Sequence, residues 1–231
     1  MSARRTLLTG AAGFVGAGLA HRLLAEGHSV HVLLRPGSDT WRLQDIQTEV
    51  SVHEADLGDE DAVRGAVEAA APDWIFHLAA HGAYSWETDS RRILHSNALG
   101  TLNLAESCLR RGFEAFVHAG SSSEYGLKDH APSEQEAPEP NSIYAVTKVT
   151  ATLLCRHLAA QNGQHICSLR LYSVYGPWED PRRLMPTLVA HGMRGELPPL
   201  VAPDTARDFV HLEDVCDAFL LAASKLSLIH I

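Results

Sequence analysis

The residues best suited to chemistry are a tyrosine and a lysine four positions apart. Tyr144 and Lys148 stand in the stretch "YAVTK", and this spacing places both side chains on one face of a helix. A phenol with a pKa near 10 is a poor base at neutral pH, but a neighbouring ammonium favours the phenolate and lowers that pKa. The pair is therefore suited to exchanging a proton with a hydroxyl group. A surface tyrosine and lysine without any function would have the same spacing.

A glycine-rich loop lies near the N-terminus. In "TLLTGAAGFVGAGLA", Gly10, Gly13 and Gly16 follow a short apolar run and precede a helical pattern. A strand, a glycine loop and a helix in this order are the context of a dinucleotide-binding site. The glycines would allow a tight turn, close approach of a pyrophosphate and close packing of the helix, in that order. The helix N-terminus would offer free N–H groups to the phosphates. The alternative is a flexible turn, and the flanking pattern favours the cofactor site.

Composition and charge argue against several other classes of protein. The chain has 231 residues, with 19 Lys and Arg against 28 Asp and Glu, a formal charge of −9 and no basic cluster, so a nucleic-acid partner is not expected. No apolar run is long enough for a membrane span and no signal peptide precedes the first strand, which predicts a cytoplasmic protein. The four cysteines form no CxxC pair, so reduced thiols are expected. The histidines show no metal-ligand spacing, so no metal is expected.

Apolar runs alternate with amphipathic helical patterns along most of the chain. This alternation predicts an α/β protein with a doubly wound parallel sheet, the Rossmann fold. The predicted strands are Thr6–Thr9, Val30–Leu34, 49–57, 73–80, 114–121 and 165–173. The predicted helices are Phe14–Glu26, Asp59–Ala70, Arg91–Arg111, Ser142–Gln161 and one within 215–224.

Two segments are expected. Residues 1–175 would form the dinucleotide-binding domain with the catalytic residues, and residues 176–231 a small, truncated C-terminal substrate region. The final stretch "LSLIHI" is interpreted as foreign sequence, such as translated adapter read-through. A short native C-terminus is the alternative.

Several motifs beyond the glycine loop resemble the extended short-chain dehydrogenases/reductases, and in particular their sugar-nucleotide epimerase/dehydratase branch. The matching stretches follow the family's order from residue 6 to about residue 222, nearly the whole chain. They are "TGAAGFVG", "ADL", "FHLAA", "NALGTLNLAE", "SSSEYG", "YAVTK", "LRLYSVYGP" and "RDFVHLEDV".

The resemblance implies a catalytic group of Ser121, Tyr144 and Lys148. The serine hydroxyl would hydrogen-bond the reacting oxygen and hold it near the tyrosine. Ser122 is the alternative, because three serines in a row leave the register open. Dehydratases of the family carry an acidic pair directly after the catalytic Ser or Thr. Here those positions are Ser122 and Ser123, and Glu124 comes one residue late, which favours epimerisation or keto reduction over dehydration.

The glycine loop and the resemblance together imply a nicotinamide cofactor. Strand two ends in Leu34 and Arg35, where NAD binders place Asp or Glu to bond the ribose. Arginine suits a 2′-phosphate, so NADP is favoured over NAD; stacking of Arg35 on adenine, or exposure to solvent, is the alternative. The expected cofactor-binding residues are Gly10, Gly13, Phe14, Val15, Gly16, Arg35, Ser38, Asp56, Leu57, Leu78, Ala79, Ala80, Asn97, Tyr144, Lys148, Tyr172 and Val174.

The substrate implied is a nucleoside-diphosphate sugar. Arg207 in "RDFVHLEDV" has donors that fit a diphosphate, whereas Asp214 is interpreted as a helix N-cap. Ser173 stands where the family has an Asn that contacts the substrate, and this difference weakens the prediction of a substrate contact here. For His81, a structural role in the loop is equally consistent. The expected substrate-binding residues are His81, Ser122, Ser123, Ser173 and Arg207.

The sequence therefore predicts an NAD(P)-dependent epimerase that acts on a nucleoside-diphosphate sugar through a transient keto intermediate. One alternative is an NADPH-dependent keto-sugar-nucleotide reductase, which the arginine of strand two favours. Another is a non-catalytic NAD(P)-binding regulator, against which the intact catalytic group argues. A homodimer is also expected, because the family tends to pair through two long helices, here 91–111 and 142–161.

Overall fold

A computed structural model describes residues 2–84, 86–200 and 206–225. Its centre is a sheet of six parallel strands in the order β3-β2-β1-β4-β5-β6, and β7 pairs with β8 separately. The strands are β1 Arg5–Thr9, β2 Ser29–Leu34, β3 Ser51–Glu54, β4 Trp74–His77, β5 Ala115–Ser121, β6 Ile166–Leu171, β7 Ser173–Tyr175 and β8 Phe209–His211. The helices are α1 Phe14–Ala25, α2 Glu60–Ala70, α3 Ser90–Leu94, α4 Gly100–Arg111, α5 Ile143–Asn162, α6 Leu184–Gly192 and α7 Leu212–Ser224.

The central sheet is buried on both faces. Neighbouring residues of a strand point to opposite faces, so Leu7 and Leu8 of β1 enter two different apolar clusters. One cluster joins the sheet to α1 and α7, and the other joins it to α2, α4 and α5. This confirms the doubly wound parallel sheet. Strand order reverses between β1 and β4, which is where such sheets bind ligands at the carboxyl ends of their strands.

The long helix predicted over Arg91–Arg111 has a more complex form. It begins at Ser90 after the N-cap Asp89 and passes through one π-helical turn, His95–Leu99, between α3 and α4. Its end at Gly112, with φ 89°, is as predicted. The π turn widens the helix beside the site, and periodicity alone does not indicate it.

Helix α7, in the segment predicted to bind substrate, packs on the central sheet. Phe219 is fully buried, and its ring lies 6.2 Å from that of Phe76 on β4. The N-cap predicted at Asp214 is wrong: the helix begins earlier, with His211 as N-cap, and Asp214 lies in its first turn. The division at residue 175 stays a prediction. The stretch 226–231, predicted to be foreign, lies outside the described residues.

Among the described helices, none is both long and apolar enough to cross a membrane.

Candidate active site

The glycine loop brings β1 against the end of β4. Gly10 has φ 74°, and a Cβ there would lie 2.6 Å from the Ala79 backbone nitrogen, so only glycine fits the turn. A Cβ on Gly16 would collide with the Gly10 carbonyl oxygen, so this glycine lets α1 pack against the loop itself. The sequence had instead predicted that Gly16 lets the helix pack close to the sheet.

The first turn of α1 is suited to an anion. Its N-cap Gly13 offers no side chain, and the turn contains no acidic residue. Phe14 and Val15 pack against the apolar core, so their backbone N–H groups are what they present to the loop. Uncapped N–H groups at a helix N-terminus bind phosphate oxygens, and the residues present therefore fit a dinucleotide pyrophosphate.

A cavity of about 410 Å³ opens beside this loop at the carboxyl ends of the strands. Its lining contains most of the residues predicted to bind the cofactor and one residue predicted to bind the substrate. The predicted residues that line it are Gly10, Gly13, Arg35, Ser38, Asp56, Leu57, Leu78, Ala79, Ala80 and His81.

Arg35 and Asp56 occupy the end of the cavity where the adenosine would lie. Arg35 is exposed, and within the described ranges it forms no ion pair. The Ser38 hydroxyl donates to the Arg35 carbonyl oxygen at 2.7 Å. Asp56 accepts the Gly58 N–H at 2.9 Å, and the nearby Asp39 carboxylate accepts the Trp41 N–H at 3.2 Å. The guanidinium is therefore the cation of this part of the rim, and among the described residues the second carboxylate oxygens of Asp56 and Asp39 accept no hydrogen bond.

Asn97 is hydrogen-bonded within the protein beside the cavity. It is buried in the π turn, its Oδ1 accepts the His81 N–H at 2.8 Å, and its Nδ2 donates to the His81 carbonyl at 2.8 Å and to Thr147 Oγ1 at 2.9 Å. Both amide hydrogens are thus used within the protein. Asn97 therefore positions the loop after β4, and its contact with the cofactor stays a prediction.

Other predicted residues are also absent from the cavity lining, including Ser121, Tyr144 and Lys148 and four residues that follow β6 or precede β8. Tyr172 lines a separate groove along β6, and Val174 on β7 packs against the apolar core. Ser173 donates its N–H to the Asp208 carbonyl at 3.0 Å, and Arg207 is exposed before β8. The structure does not bring Tyr172 and Val174 to the cofactor loop, because β6 ends at Leu171 and the chain turns there into the small second sheet.

Ser121 is held at the end of β5 by a buried carboxylate. Glu124 is fully buried, and its Oε1 accepts the Ser121 N–H at 2.8 Å while its Oε2 accepts from Arg170 Nε at 2.9 Å. The Ser121 hydroxyl in turn lies 2.8 Å from the Ser123 hydroxyl, in the 3-10 turn that also contains Ser122. Glu124 therefore shapes the serine turn and is not available as a catalytic acid.

Tyr144 meets Ser121 from the first turn of α5. Burial raises the pKa of Tyr144 above its ordinary value of 10, and the nearby Ser121 hydroxyl opposes this rise. The carboxylates of Glu124 and Glu87 raise the pKa further. The prediction that Lys148 lowers the pKa of Tyr144 is wrong for the protein without its cofactor, because the lysine ammonium is directed toward β5.

Lys148 is turned toward β5. Its Nζ donates to the Ala119 carbonyl at 2.5 Å and lies 3.2 Å from His118 Nε2. Burial lowers the pKa of Lys148 to about 8. His118 Nδ1 lies 3.1 Å from Ser168 Oγ. The ammonium thus has neutral partners, and its nearest side chain is a histidine that sequence reasoning missed.

The buried histidines of β4 and β5 make stability depend on pH. Burial lowers the pKa of His77 to about 3 and that of the adjacent His118 well below its usual range. As pH falls below about 6.5, the unfolded chain binds a proton at each position and the folded chain does not, so stability decreases by about 1.4 kcal/mol per pH unit for each histidine. We expect His77→Gln to flatten this slope in urea unfolding between pH 7 and pH 5. The exposed His157→Gln is the control, and equal slopes in all three proteins would contradict the assignment.

The fold and this cavity define a Rossmann-type α/β protein whose glycine loop suits a dinucleotide, with Ser121 at the end of β5 and with Tyr144 and Lys148 on α5. The chain belongs to the NAD dependent epimerase/dehydratase family, whose sequence model matches residues 6–229. This is a family of enzymes, and it confirms the resemblance read from the motifs.

Individual relatives span several reactions. The chain is 33% identical to a UDP-glucose 4-epimerase of Mycolicibacterium smegmatis, over 94% of this chain and 72% of that protein. It is 30% identical to a putative dihydroflavonol 4-reductase of Synechocystis, over 93% of this chain and 62% of that protein. A solved UDP-glucuronic acid 4-epimerase of Bacillus cereus, in complex with UDP-glucuronic acid and NAD, has a TM-score of 0.82 at 28% identity and covers 97% of this chain and 74% of that one. The chain thus spans 62 to 74% of the length of these three proteins.

Sequence reasoning missed the supporting residues of the site. His118 and Glu124 are polar residues beside a buried strand, and buried polar groups need partners; this was the available signal. Their partners Lys148 and Arg170 are 30 and 46 positions away, so the sequence does not indicate the pairing.

Proposed function

We propose that this protein is an NAD(P)-dependent epimerase that acts on a nucleoside-diphosphate sugar through a transient keto intermediate. The observation that carries the proposal is the position of Ser121 at the carboxyl end of β5 and of Tyr144 in the first turn of α5, with the Ser121 hydroxyl opposing the rise in the pKa of the phenol, on the sheet that also bears the glycine loop. Family membership and relatives that bind or are named for UDP-sugars support it.

The proposed roles follow from chemistry and position. When bound, the nicotinamide supplies the acceptor and donor of hydride. Tyr144 takes the proton of the sugar hydroxyl through its phenolic oxygen and later returns it. Ser121 holds the reacting oxygen by a hydrogen bond, and Lys148 supplies positive charge from its position against the carboxyl end of β5. Because the keto sugar can present either face when it is reduced again, the configuration of the carbon is inverted.

The substrate contacts proposed are those of the cavity mouth and the second sheet. Ser122 and Ser123 adjoin the catalytic serine, His81 lines the cavity, and Arg207 is exposed with donors that suit a diphosphate. The substrate contact of Ser173 remains a prediction, and the backbone N–H of this residue donates to the Asp208 carbonyl oxygen.

The proposed cofactor preference is for NADP. Arg35 lines the cavity without an ion-pair partner among the described residues, and the neighbouring Asp39 carboxylate already accepts a backbone N–H. A charge-assisted bond to a phosphate contributes about 1.5–3 kcal/mol, or roughly a ten- to hundredfold change in affinity.

We therefore expect Arg35→Ala to weaken NADPH binding by roughly ten- to hundredfold while NADH binding changes little. Fluorescence titration of both nucleotides measures this, and Arg64→Ala on α2, where the half-buried arginine pairs with Asp61, serves as a control. Equal losses for the two nucleotides would mean that Arg35 does not contact the 2′-phosphate.

The proposed reaction is tested by product analysis. The protein is denatured and any released nucleotide is identified by mass, then UDP-glucose, UDP-N-acetylglucosamine and UDP-glucuronic acid are each incubated with the protein and the cofactor. Formation of a stereoisomer without net consumption of cofactor supports the epimerase. Stoichiometric consumption of NADPH with a keto substrate supports the reductase instead, the second candidate, which the position of Arg35 favours. Cofactor binding without either reaction supports the non-catalytic regulator.

A homodimer remains part of the proposal. Apolar side chains are exposed on both of the helices expected to pair, namely Leu94, Val146 and Leu153 on α3 and α5, together with Leu99 of the π turn. Such exposed apolar residues on adjacent helices suit an interface between two copies.

A further inference from the structure

A histidine–carboxylate pair lies in the loop that follows β4. His81 Nδ1 is 2.8 Å from Glu87 Oε1, and the side chains are 18% and 22% exposed. Both residues line the cavity of the glycine loop. The other carboxylate oxygen of Glu87 accepts the N–H groups of Gly82 and Tyr84 at 3.1 and 3.2 Å. The carboxylate is therefore fixed at both oxygens and holds the imidazole at the cavity wall.

The backbone of His81 is fixed relative to Tyr144. Asn97 bonds the N–H and the carbonyl of His81, and its Nδ2 also donates to Thr147 Oγ1. Thr147 Oγ1 donates to the Tyr144 carbonyl at 2.8 Å. Two side chains thus link the peptide of His81 to that of Tyr144. The charge of Glu87 also reaches Tyr144, because it contributes to the raised pKa of the phenol.

The position of Glu87 determines the tautomer of His81. A carboxylate oxygen at 2.8 Å would repel a nitrogen lone pair, so the proton belongs on Nδ1. The lone pair of a neutral ring then lies on Nε2, which no other group within the described ranges hydrogen-bonds. A neutral imidazole oriented by a carboxylate is a general base.

We propose that His81, on the wall of this cavity, is an acid–base catalytic residue in addition to Tyr144, and that it removes and returns a proton at the carbon next to the carbonyl of a keto sugar nucleotide. Glu87 is its positioning residue. The inference rests on the proposed function, since a keto sugar is the species that Tyr144 and the cofactor would generate.

The step balances without a further reactant. The C–H bond beside the carbonyl breaks, its electron pair forms the enolate, and the proton passes to His81 Nε2. Glu87 stabilises the resulting imidazolium. Return of the proton to carbon restores the ketone, with exchange against solvent or with inversion of that carbon. The activity therefore extends beyond inversion at the carbon that loses hydride.

Deuterium incorporation tests this directly. The full chain is incubated in deuterium oxide with a preformed ketone, dTDP-4-keto-6-deoxyglucose, and deuterium at the carbons beside the carbonyl is followed by NMR. We expect exchange faster than in buffer alone, a loss of roughly 100-fold in His81→Asn, and roughly tenfold in Glu87→Gln, in line with the contribution of general acid–base catalysis.

His130→Asn is the matched control. His130 also lies 3.0 Å from two carboxylates, Asp129 and Glu136, but it stands on an exposed loop outside the cavity. This variant should exchange deuterium at the rate of the unmodified chain. Circular dichroism verifies that each variant is folded, and Glu87→Gln provides the test if His81→Asn is not.

The outcomes separate this inference from the proposed function. Exchange no faster than in buffer, or equal in His81→Asn and the unmodified chain, overturns the role of His81. Epimerisation of a UDP-sugar in the same preparation would leave the proposed function standing. Exchange of the preformed ketone without any reaction of UDP-sugars would support His81 and count against the proposed epimerase.

Discussion

Tyr144→Phe is expected to lower turnover of a sugar nucleotide by about 10²–10⁴-fold, the range for loss of a general acid–base group. The phenolic oxygen is the only part removed, and the ring keeps its packing at the start of α5. Cofactor affinity should change little, because the glycine loop and Arg35 are untouched. The measurement is the initial rate of stereoisomer formation together with a nucleotide titration.

Tyr175→Phe provides the control for this variant. Tyr175 lies on β7 in the small second sheet, where its ring packs edge-on against Phe209 at 6.4 Å. A rate in Tyr144→Phe within a factor of a few of the control would contradict the catalytic role. A biological effect that survives this substitution would favour the cofactor-binding regulator.

Glu124→Ala is expected to reduce the free energy of unfolding by about 3 kcal/mol. The substitution removes a fully buried carboxylate and leaves the guanidinium of Arg170, 2.9 Å away, without its partner. Loss of one member of a buried ion pair costs about 3–5 kcal/mol, and the partial exposure of Arg170 places the value at the lower end. For a chain of this size the melting temperature should fall by roughly 6–12 °C.

Two further variants resolve the origin of the Glu124 effect. Glu124→Gln keeps an acceptor for the Ser121 N–H but removes the charge, so it should lose less stability than the alanine variant. Glu106→Ala removes an exposed partner that lies 3.9 Å from Arg110 on the same helix and should cost less than about 0.5 kcal/mol. A similar cost for Glu124→Ala and Glu106→Ala in urea unfolding would refute the structural role of Glu124.

The Glu124 variants also connect stability to function. Because Glu124 holds the Ser121 N–H, its loss should displace the serine hydroxyl from Tyr144 and slow turnover, even where the protein is folded. This explains why the late acidic residue of "SSSEYG" does not restore a dehydratase arrangement: the carboxylate is occupied within the protein.

The sequence by itself determined the sheet, the glycine loop and the helix that carries Tyr144 and Lys148. These features depend on residues close together in the chain, such as Gly10 and Gly16 beside β1 or Ser142 as the N-cap of α5. The parallel, doubly wound arrangement followed from connection rules for alternating strands and helices, whereas the strand order β3-β2-β1-β4-β5-β6 came only from the structure. Local patterns of this kind can be read without knowing which distant residues meet.

Only the tertiary structure decided what surrounds those features. The pairing of Lys148 with His118, of Glu124 with Arg170 and of Asn97 with the His81 peptide joins residues from separate strands and helices. Burial then set the electrostatics: it raised the pKa of Tyr144, which the spacing of "YAVTK" had predicted to fall. Desolvation depends on every atom packed around a group, and for this reason no short stretch of the sequence specifies it.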